Sequence, residues 1–294
     1  MLIKKEAKER RALIIDGDNL LHRAHWIGKY HPLTNSKGED VTDIYTALRM
    51  VKSYADQFSV TSIYIVWDKK LLWPSTNFRK QNLVEYKADR NEEQIKEVHS
   101  SEQDLTQALK YLGCKIMYPR VMEADDVISW LTQVLHEKII IVSSDADLYQ
   151  LVNDQVQVYN AIKKIIVTPE NFEKVIGVEQ KDFILYKAIK GDESDCIKGL
   201  HGYGPAKTKK LIVSLKNGQN PLSEEQLQIV NRNTTLVDLS IGYNVHEGEI
   251  EVYWNQYNNQ RNTSSSKEEF KEFCERWEFP SILKNFDDWI GTFK

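Results

Sequence analysis

Nine acidic residues of this chain occupy positions from which carboxylates could gather into one site and bind metal. Asp16 follows the apolar run Ala12–Ile15, and Asp68 follows Ile63–Trp67. The other seven form three short clusters: Glu123, Asp125 and Asp126; Asp145 and Asp147; Asp192 and Asp195. Acids packed together repel one another unless cations lie between them. Hard oxygen ligands suit Mg²⁺ or Mn²⁺, so the set predicts two-metal hydrolysis, with ions about 4 Å apart.

Each acidic cluster also has an ordinary structural explanation. Glu123 and Asp126 stand at the start of a predicted helix, where acids compensate the positive end of the helix dipole. Asp145 and Asp147 could form a turn after a strand. The last pair, after Gly191, could belong to a turn that ends a helix. The metal interpretation therefore depends on the joint pattern, in which acids recur in the same strand-end context.

Four apolar runs predict buried parallel strands, and the segments between them predict helices. The strands are expected at Ala12–Ile15, Ile63–Trp67, Lys115–Tyr118 and Ile139–Val142, and the helices at 44–58, 102–112 and 127–135. This alternation favours an α/β fold with a parallel sheet. Ligands of such sheets bind beyond the carboxyl ends of the strands, so one crevice could collect Asp16, Asp68 and Asp145.

The pattern becomes mainly helical after about Asn160. Thr168 and Pro169 predict a helix start, with Thr168 as the N-cap and Pro169 in the first position. Loops are expected at 217–221 and at 256–267, the second because it is rich in Asn, Gln and Ser. A last helix is expected at 268–277.

Composition limits the class of protein. The 294 residues are 41% hydrophobic, enough for one large domain with or without a smaller lobe. The formal net charge of −4 gives no overall basic field for nucleic acid, although acids gathered in one metal site would account for much of that balance. Three cysteines without paired spacing predict reduced thiols in a cytosolic protein. No apolar run approaches the length of a membrane span.

Four motifs resemble those of the 5′-nuclease, or flap endonuclease, superfamily, which includes phage 5′-exonucleases, primer-removing nucleases and the 5′-nuclease domain of bacterial DNA polymerase I. They are Asp16-Gly-Asp-Asn19, Glu123-Ala-Asp-Asp126, Ser144-Asp-Ala-Asp147 and Gly191-Asp-Glu-Ser-Asp195, in the family's order and spacing. The resemblance implies a PIN-like core with one metal surrounded by Asp16, Asp68, Glu123, Asp125 and Asp145. It implies a second metal served, directly or through water, by Asp126, Asp147, Asp192 and Asp195.

A basic and aromatic segment lies between the first two groups of acids. Phe78-Arg79 and Tyr86-Lys87-Ala-Asp-Arg90 resemble the family's substrate-handling segment. Lys87 and Arg90 lie one helical turn apart and could grip the scissile phosphate, where they would stabilise developing charge. Arg79 would contact a phosphate, and Tyr86 would stack on a terminal base. The resemblance implies that residues from about 86 to 112 form a helical arch over the site, through which a single-stranded 5′ end passes.

A glycine-rich element follows the last acids. Gly199 to Ile212 resembles the family's helix–two-turns–helix element, which grips the downstream duplex and often binds K⁺. Gly202 and Gly204 would let the backbone approach phosphates. The following helix N-terminus would add N–H groups, assisted by three cations, Lys207, Lys209 and Lys210.

These features together predict a divalent-metal-dependent 5′→3′ exonuclease and flap endonuclease. Its partner would be DNA with a 5′ flap, a nick or an RNA primer, in replication or repair. We expect a nuclease core at 1–160, a helical lobe at 161–235 and an extension at 236–294 that packs on the core. We also expect a monomer in the cytoplasm of a bacterial cell or a phage-infected host.

Three alternatives remain open. A PIN-like ribonuclease would share the acidic crevice, but the glycine-rich element disfavours it. A catalytically silent DNA-structure-binding protein would have lost metal acids, and none is missing here. A small-molecule phosphatase would give Lys87, Arg90 and the glycine-rich element no role.

Overall fold

A computed structural model describes residues 10–68, 77–89, 92–119, 121–245, 248, 250–260 and 265–293. Within them, six strands form one sheet in the order β3-β2-β1-β4-β5-β6. The strands are β1 Arg11–Asp16, β2 Ser62–Val66, β3 Lys115–Met117, β4 Lys138–Val142, β5 Val156–Asn160 and β6 Ile165–Val167. Neighbouring strands are parallel except β5 and β6, which are antiparallel. The predicted α/β fold with a parallel core sheet is confirmed.

Helices cover both faces of this sheet. They are α1 Gly17–Gly28, α2 Thr42–Phe58, α3 Phe78–Asn82, α4 Glu92–Val98, α5 Glu102–Tyr111 and α6 Ala124–Val134. Successive side chains of a strand point to opposite faces. Leu13 and Ile15 of β1 therefore join the core beneath α2 and α5, while Ala12 and Ile14 join the core beneath α6. Residues 92–111, within the predicted arch, consist of α4, a 3₁₀ turn and α5.

A helical lobe follows the sheet. It contains α7 Phe172–Ile176, α8 Phe183–Lys190, α9 Pro205–Lys216 and α10 Glu224–Val237, with a short antiparallel pair, β7 Gly191–Asp192 and β8 Ile197–Lys198. A separate apolar core that includes Leu200, Leu211 and Val230 holds α8, α9 and α10 together. The remaining helices are α11 Leu239–Val245, α12 Ile250–Gln260, α13 Lys267–Arg276, α14 Pro280–Lys284 and α15 Phe286–Gly291. Among the described residues, none of the helices has the length and apolar character that crossing a membrane requires.

The helix predicted to begin at Thr168 begins later. Residues 168–171 form a turn, and α7 starts at Phe172. The Asn171 side chain accepts a hydrogen bond from the Thr168 N–H at 2.9 Å and donates one to the Ile166 carbonyl at 2.8 Å. These bonds close the turn back onto β6, so the prediction of Thr168 as an N-cap is wrong.

The loop predicted at 256–267 is wrong for its first part, because α12 extends to Gln260. Gln260 accepts a hydrogen bond from the Ile116 N–H and donates one to the Ile116 carbonyl, both at 2.6 Å. Gln256 makes the same pair with Tyr118, at 3.0 and 3.1 Å. The two amides lie one helical turn apart and satisfy the exposed backbone edge at β3, which explains the Gln content that suggested a loop.

Candidate metal centre

Three predicted acids lie at the carboxyl ends of three adjacent strands. Asp16 is the last residue of β1, Asp68 lies two residues after β2, and Asp145 lies three residues after β4. Because β2, β1 and β4 are parallel neighbours, these ends share one edge of the sheet. Gly17 permits the tight passage from β1 into α1, since a Cβ there would lie 2.5 Å from the Trp67 ring.

Hydrogen bonds hold the carboxyl end of β1 against the loop that follows β4. Asp16 accepts hydrogen bonds from the Asn19 N–H at 3.0 Å and from the Ser143 hydroxyl at 2.8 Å. The same Ser143 oxygen accepts the N–H of Asp145 at 3.0 Å. Asn19 and Ser144 form a reciprocal pair, at 2.5 and 3.1 Å. Two neighbouring strand ends are thus connected by side chains that lie beside the acids.

The electrostatics of these acids are those of a crowded anionic site. Burial, together with the charges of Asp145 and Asp68, raises the pKa of Asp16 to about 6. Burial and the charge of Asp68 raise the pKa of Asp18 to about 8. Burial, with the charges of Asp145 and Asp16, raises the pKa of Asp125 well above its usual range. A divalent cation would remove this repulsion, and the all-oxygen donor set fits Mg²⁺ or Mn²⁺.

A second acidic group lies where the core meets the lobe. Asp147, Asp192 and Asp195 each offer an oxygen, and these three atoms lie within 4.8 Å of one another. Asp147 is connected to the first group, because its N–H donates to the Asp145 carboxylate at 2.8 Å. The Lys187 ammonium contacts the carboxylates of Asp147 and Asp192. The donor chemistry of this group also fits a hard divalent ion.

Lys87 lies between acids of the two groups. Its ammonium donates to Glu123 Oε2 at 2.8 Å and lies 3.9 Å from Asp195 Oδ1. Its backbone is left-handed, with φ 53°, and its N–H donates to the Asp195 carbonyl at 3.1 Å. Burial alone would raise the pKa of Glu123, but Lys87 and Arg79 outweigh it and lower that pKa to about 2. Arg90, predicted beside Lys87, lies outside the described residues.

Arg79 and Asp126 form a buried ion pair, which corrects the predictions for both. Arg79 is 2% exposed and Asp126 is 0% exposed. The guanidinium donates to the two Asp126 oxygens at 2.8 and 2.7 Å and to the Leu236 carbonyl at 2.9 Å. Asp126 Oδ2 also accepts the Glu123 N–H at 3.1 Å. The prediction of a phosphate contact for Arg79 is wrong, and so is that of a metal ligand at Asp126, because each already satisfies the other.

The prediction that Tyr86 stacks on a terminal base is also wrong. Its side chain is 2% exposed, so the predicted stacking face is covered by protein. The hydroxyl lies 2.9 Å from Glu123 Oε2 and 3.1 Å from Asp195 Oδ2, within donating distance of both. Burial and the charge of Glu123 raise its pKa well above the usual range, so it stays a donor. Tyr86 therefore connects the acids of the core with those of the lobe.

The predicted DNA-binding residues of the lobe are exposed, as contact with a duplex requires. Gly202 adopts a left-handed φ of 76°, and Gly204 is the N-cap of α9 with Pro205 in the first helical position. A Cβ at Gly204 would meet no atom within 4 Å. The three lysines predicted to contact DNA, Lys207, Lys209 and Lys210, are exposed on this helix. The first turn of a helix has N–H groups without intrahelical partners, and at the start of α9 these could bind phosphate.

Sequence reasoning missed Asp18 and Lys187. Asp18 is in the quoted Asp16–Asn19 motif, and its carboxylate lies 3.3 Å from the Asp68 N–H and 3.6 Å from His99 Nε2. The signal was an acid in the first turn of α1, next to a strand-end acid. Lys187 lies among apolar residues of α8. In a sequence, a lysine within such an apolar run suggests a position on the solvent-facing side of the helix. Only the tertiary structure shows that it faces inward.

The Arg79–Asp126 pair should contribute strongly to stability. In Arg79→Met the Asp126 carboxylate would remain buried without its partner, so we expect the free energy of unfolding to fall by about 3 to 5 kcal/mol. Urea denaturation measures this loss, and the exposed Arg49→Met is the matched control, with little expected change. Weakened DNA binding at unchanged stability would instead restore Arg79 as a phosphate contact.

The raised pKa values predict how pH and metal act on stability. The folded, metal-free protein holds protons on Asp16 and Asp18 that the unfolded chain releases above about pH 4. The free energy of unfolding in EDTA should therefore fall as pH rises from about 4 to about 8. Divalent ions bind the ionised form, so Mg²⁺ should raise Tm more at pH 8 than at pH 6. Thermal melts across this range test both trends, and a larger Mg²⁺ effect at pH 6 would contradict them.

Comparison with known proteins agrees with this geometry. The family model described as 5′-3′ exonuclease, N-terminal resolvase-like domain, matches residues 11–177, more than half of the chain. The 5′-3′ exonuclease of Buchnera aphidicola subsp. Acyrthosiphon pisum is 30% identical over 217 residues, covering 72% of this chain and 73% of that protein. The flap endonuclease Xni of Shewanella loihica is 30% identical over 219 residues, covering 71% of this chain and 78% of that protein.

Solved structures show the same fold. The bacteriophage T5 flap endonuclease in complex with DNA and metal ions matches with a TM-score of 0.64 at 22% identity, over 92% of this chain and 100% of that one. The phage 5′-exonuclease with bound zinc ions matches with a TM-score of 0.64 at 21% identity, over 90% and 99%. By its sequence match to the family model and to these relatives, the chain belongs to the 5′-3′ exonuclease family of the flap endonuclease superfamily and is a phosphodiester-hydrolysing nuclease.

Proposed function

We propose that this protein is a divalent-metal-dependent, structure-specific 5′-nuclease with 5′→3′ exonuclease and flap endonuclease activity. One observation carries the proposal. Carboxylates from three adjacent strand ends meet a second acidic group of the lobe, and the buried amine of Lys87 lies between Glu123 and Asp195. Such an arrangement combines anionic ligands for cations with a cation that can act on a phosphate.

The acids divide into two metal positions under this proposal. The first would use Asp16, Asp68, Glu123, Asp125 and Asp145, and the second would use Asp147, Asp192 and Asp195. Bound Mg²⁺ or Mn²⁺ would supply an activated water and stabilise charge on the phosphate. The raised pKa values of Asp16 and Asp125 support this, since burial first and neighbouring carboxylates second disfavour their charged forms, which a bound cation would stabilise.

Lys87 would be the catalytic cation on the substrate side. Glu123 holds its ammonium, and the left-handed backbone at Lys87 is fixed by the hydrogen bond to the Asp195 carbonyl. Strain of this kind is retained where the surrounding structure fixes the position of a functional group. We propose that Lys87 donates to the scissile phosphate, and that Arg90 adds a second positive charge there.

The lobe would bind the duplex away from the scissile phosphodiester. Exposed Gly202 and Gly204 allow close approach of a phosphate, and the α9 N-terminus supplies N–H donors. Cations of α9, namely Lys207, Lys209 and Lys210, would neutralise neighbouring phosphates, and a K⁺ ion could bind at this turn. We propose that the protein acts as a monomer on flapped, nicked or RNA-primed duplexes during replication or repair.

Loss of one metal acid should separate cleavage from binding. We expect Asp145→Asn to lower the rate of cleavage of a labelled 5′-flap duplex in Mg²⁺ by at least about 100-fold. Affinity for the same duplex in EDTA should stay within about threefold, because the proposed duplex contacts lie on the lobe. Single-turnover cleavage and fluorescence anisotropy measure the two quantities.

Asp154→Asn removes an exposed acid beyond the opposite end of β4 and is the matched control. Full activity of Asp145→Asn would contradict the two-metal assignment. Cleavage of single-stranded RNA in preference to the flap duplex would favour a PIN-like ribonuclease. Flap binding by the wild type without any cleavage would favour a silent DNA-structure-binding protein.

A further inference from the structure

Lys187 stands in the acidic group that was proposed for the second metal. Its ammonium contacts one carboxylate oxygen of Asp147 and one of Asp192. Those two residues and Asp195 are the acids whose oxygens lie within 4.8 Å of one another. The Lys187 residue is 7% exposed, so its charge is balanced by these acids more than by solvent. A monovalent cation of the protein therefore shares the ligands of the divalent ion.

The sequence places Lys187 there for a structural reason. Helix α8 ends at Lys190, and Gly191, with φ 84°, turns the chain into Asp192. A Cβ at Gly191 would lie 2.3 Å from the backbone nitrogen of Gly199, so this turn is tightly packed. Lys187 is on the buried face of α8, beside Ala188 and Ile189. Its ammonium reaches Asp147 and Asp192 from this buried position.

The charge of Lys187 acts on its partners. Burial raises the pKa of Asp192, but the charge and hydrogen bond of Lys187, with hydrogen bonds from Ser194, outweigh burial and hold that pKa below its usual range. Burial raises the pKa of Asp195, the third acid of the group. The ammonium thus does for Asp192 what a metal ion would do for the whole group, which is to keep a crowded carboxylate ionised.

We propose that Lys187 is a built-in occupant of the second metal position, which a divalent ion must displace from Asp147 and Asp192 in order to bind. This inference rests on the proposed function, because it takes the three acids to be metal ligands. Two cations compete for the same oxygens, and each lowers the affinity of the group for the other. Lys187 thereby sets the metal concentration at which the second position fills.

Metal binding to the protein alone tests this competition without any nuclease assay. Mn²⁺ is titrated into metal-free protein in the absence of DNA, and free Mn²⁺ is followed by electron paramagnetic resonance. We expect Lys187→Met to bind one Mn²⁺ at least about tenfold more tightly than the wild type does, with unchanged stoichiometry. Lys187→Arg keeps the cation and should bind Mn²⁺ about as the wild type does. Lys190→Met removes an exposed cation from the same helix and should change the affinity less than about twofold.

Loss of Lys187 could also destabilise the metal-free fold, so thermal melts accompany the titration. A Lys187→Met protein that is less stable in EDTA and regains stability in Mn²⁺ supports the inference. Unchanged or weaker Mn²⁺ binding in Lys187→Met would overturn it and leave the nuclease proposal intact. Tighter Mn²⁺ binding in Lys187→Met, with no flap cleavage by the wild type, would overturn the nuclease proposal and leave this inference intact.

Discussion

Repulsion among buried carboxylates is the constraint on which the rest of this structure depends. Three parallel strands end side by side, and each delivers an acid to the same edge of the sheet. Burial and mutual charge raise the pKa of Asp16 to about 6 and that of Asp18 to about 8. A fold that maintains such a site must compensate the charge with protons, with its own cations or with bound ones. The form of that compensation differs from one acid to the next.

Two acids, Asp126 and Glu123, are neutralised by groups of the protein and stabilise the frame of the site, and Glu123 is also a proposed metal ligand. Asp126 is fully paired with Arg79, and Glu123 is held by Lys87 and Tyr86. These buried pairs fix the start of α6 and tie it to the lobe through the Leu236 carbonyl. Asp147, Asp192 and Asp195 keep three oxygens within 4.8 Å of one another. Because Tyr86 and Lys87 reach both Glu123 and Asp195, the position of the lobe and the geometry of the first acidic group are coupled.

The sequence predicted the strands and the acids at their ends, because residue type and position along the chain are sufficient to indicate both. Apolar runs predicted the strands β1, β2, β3 and β4, which is confirmed, and an acid marked the end of three of them, β1, β2 and β4. The sequence did not predict which groups would pair with each charged side chain. By residue type, Arg79 suits a phosphate contact and Asp126 suits a metal ligand. In the structure the two side chains pair with each other, although they lie 47 residues apart in the chain. The local pattern also failed at Thr168, where the Asn171 side chain closes a turn instead of a helix start.

The central claim is that carboxylates of the strand ends and of the lobe hold two divalent ions side by side. Crystals of the protein soaked in Mn²⁺ test it most directly, through anomalous difference density. Two peaks about 4 Å apart are expected. One peak should lie among Asp16, Asp125 and Asp145, and the other among Asp147, Asp192 and Asp195, with Lys187 moved away from the second. No peak at either group, with Lys187 still against Asp147 and Asp192, would contradict the claim.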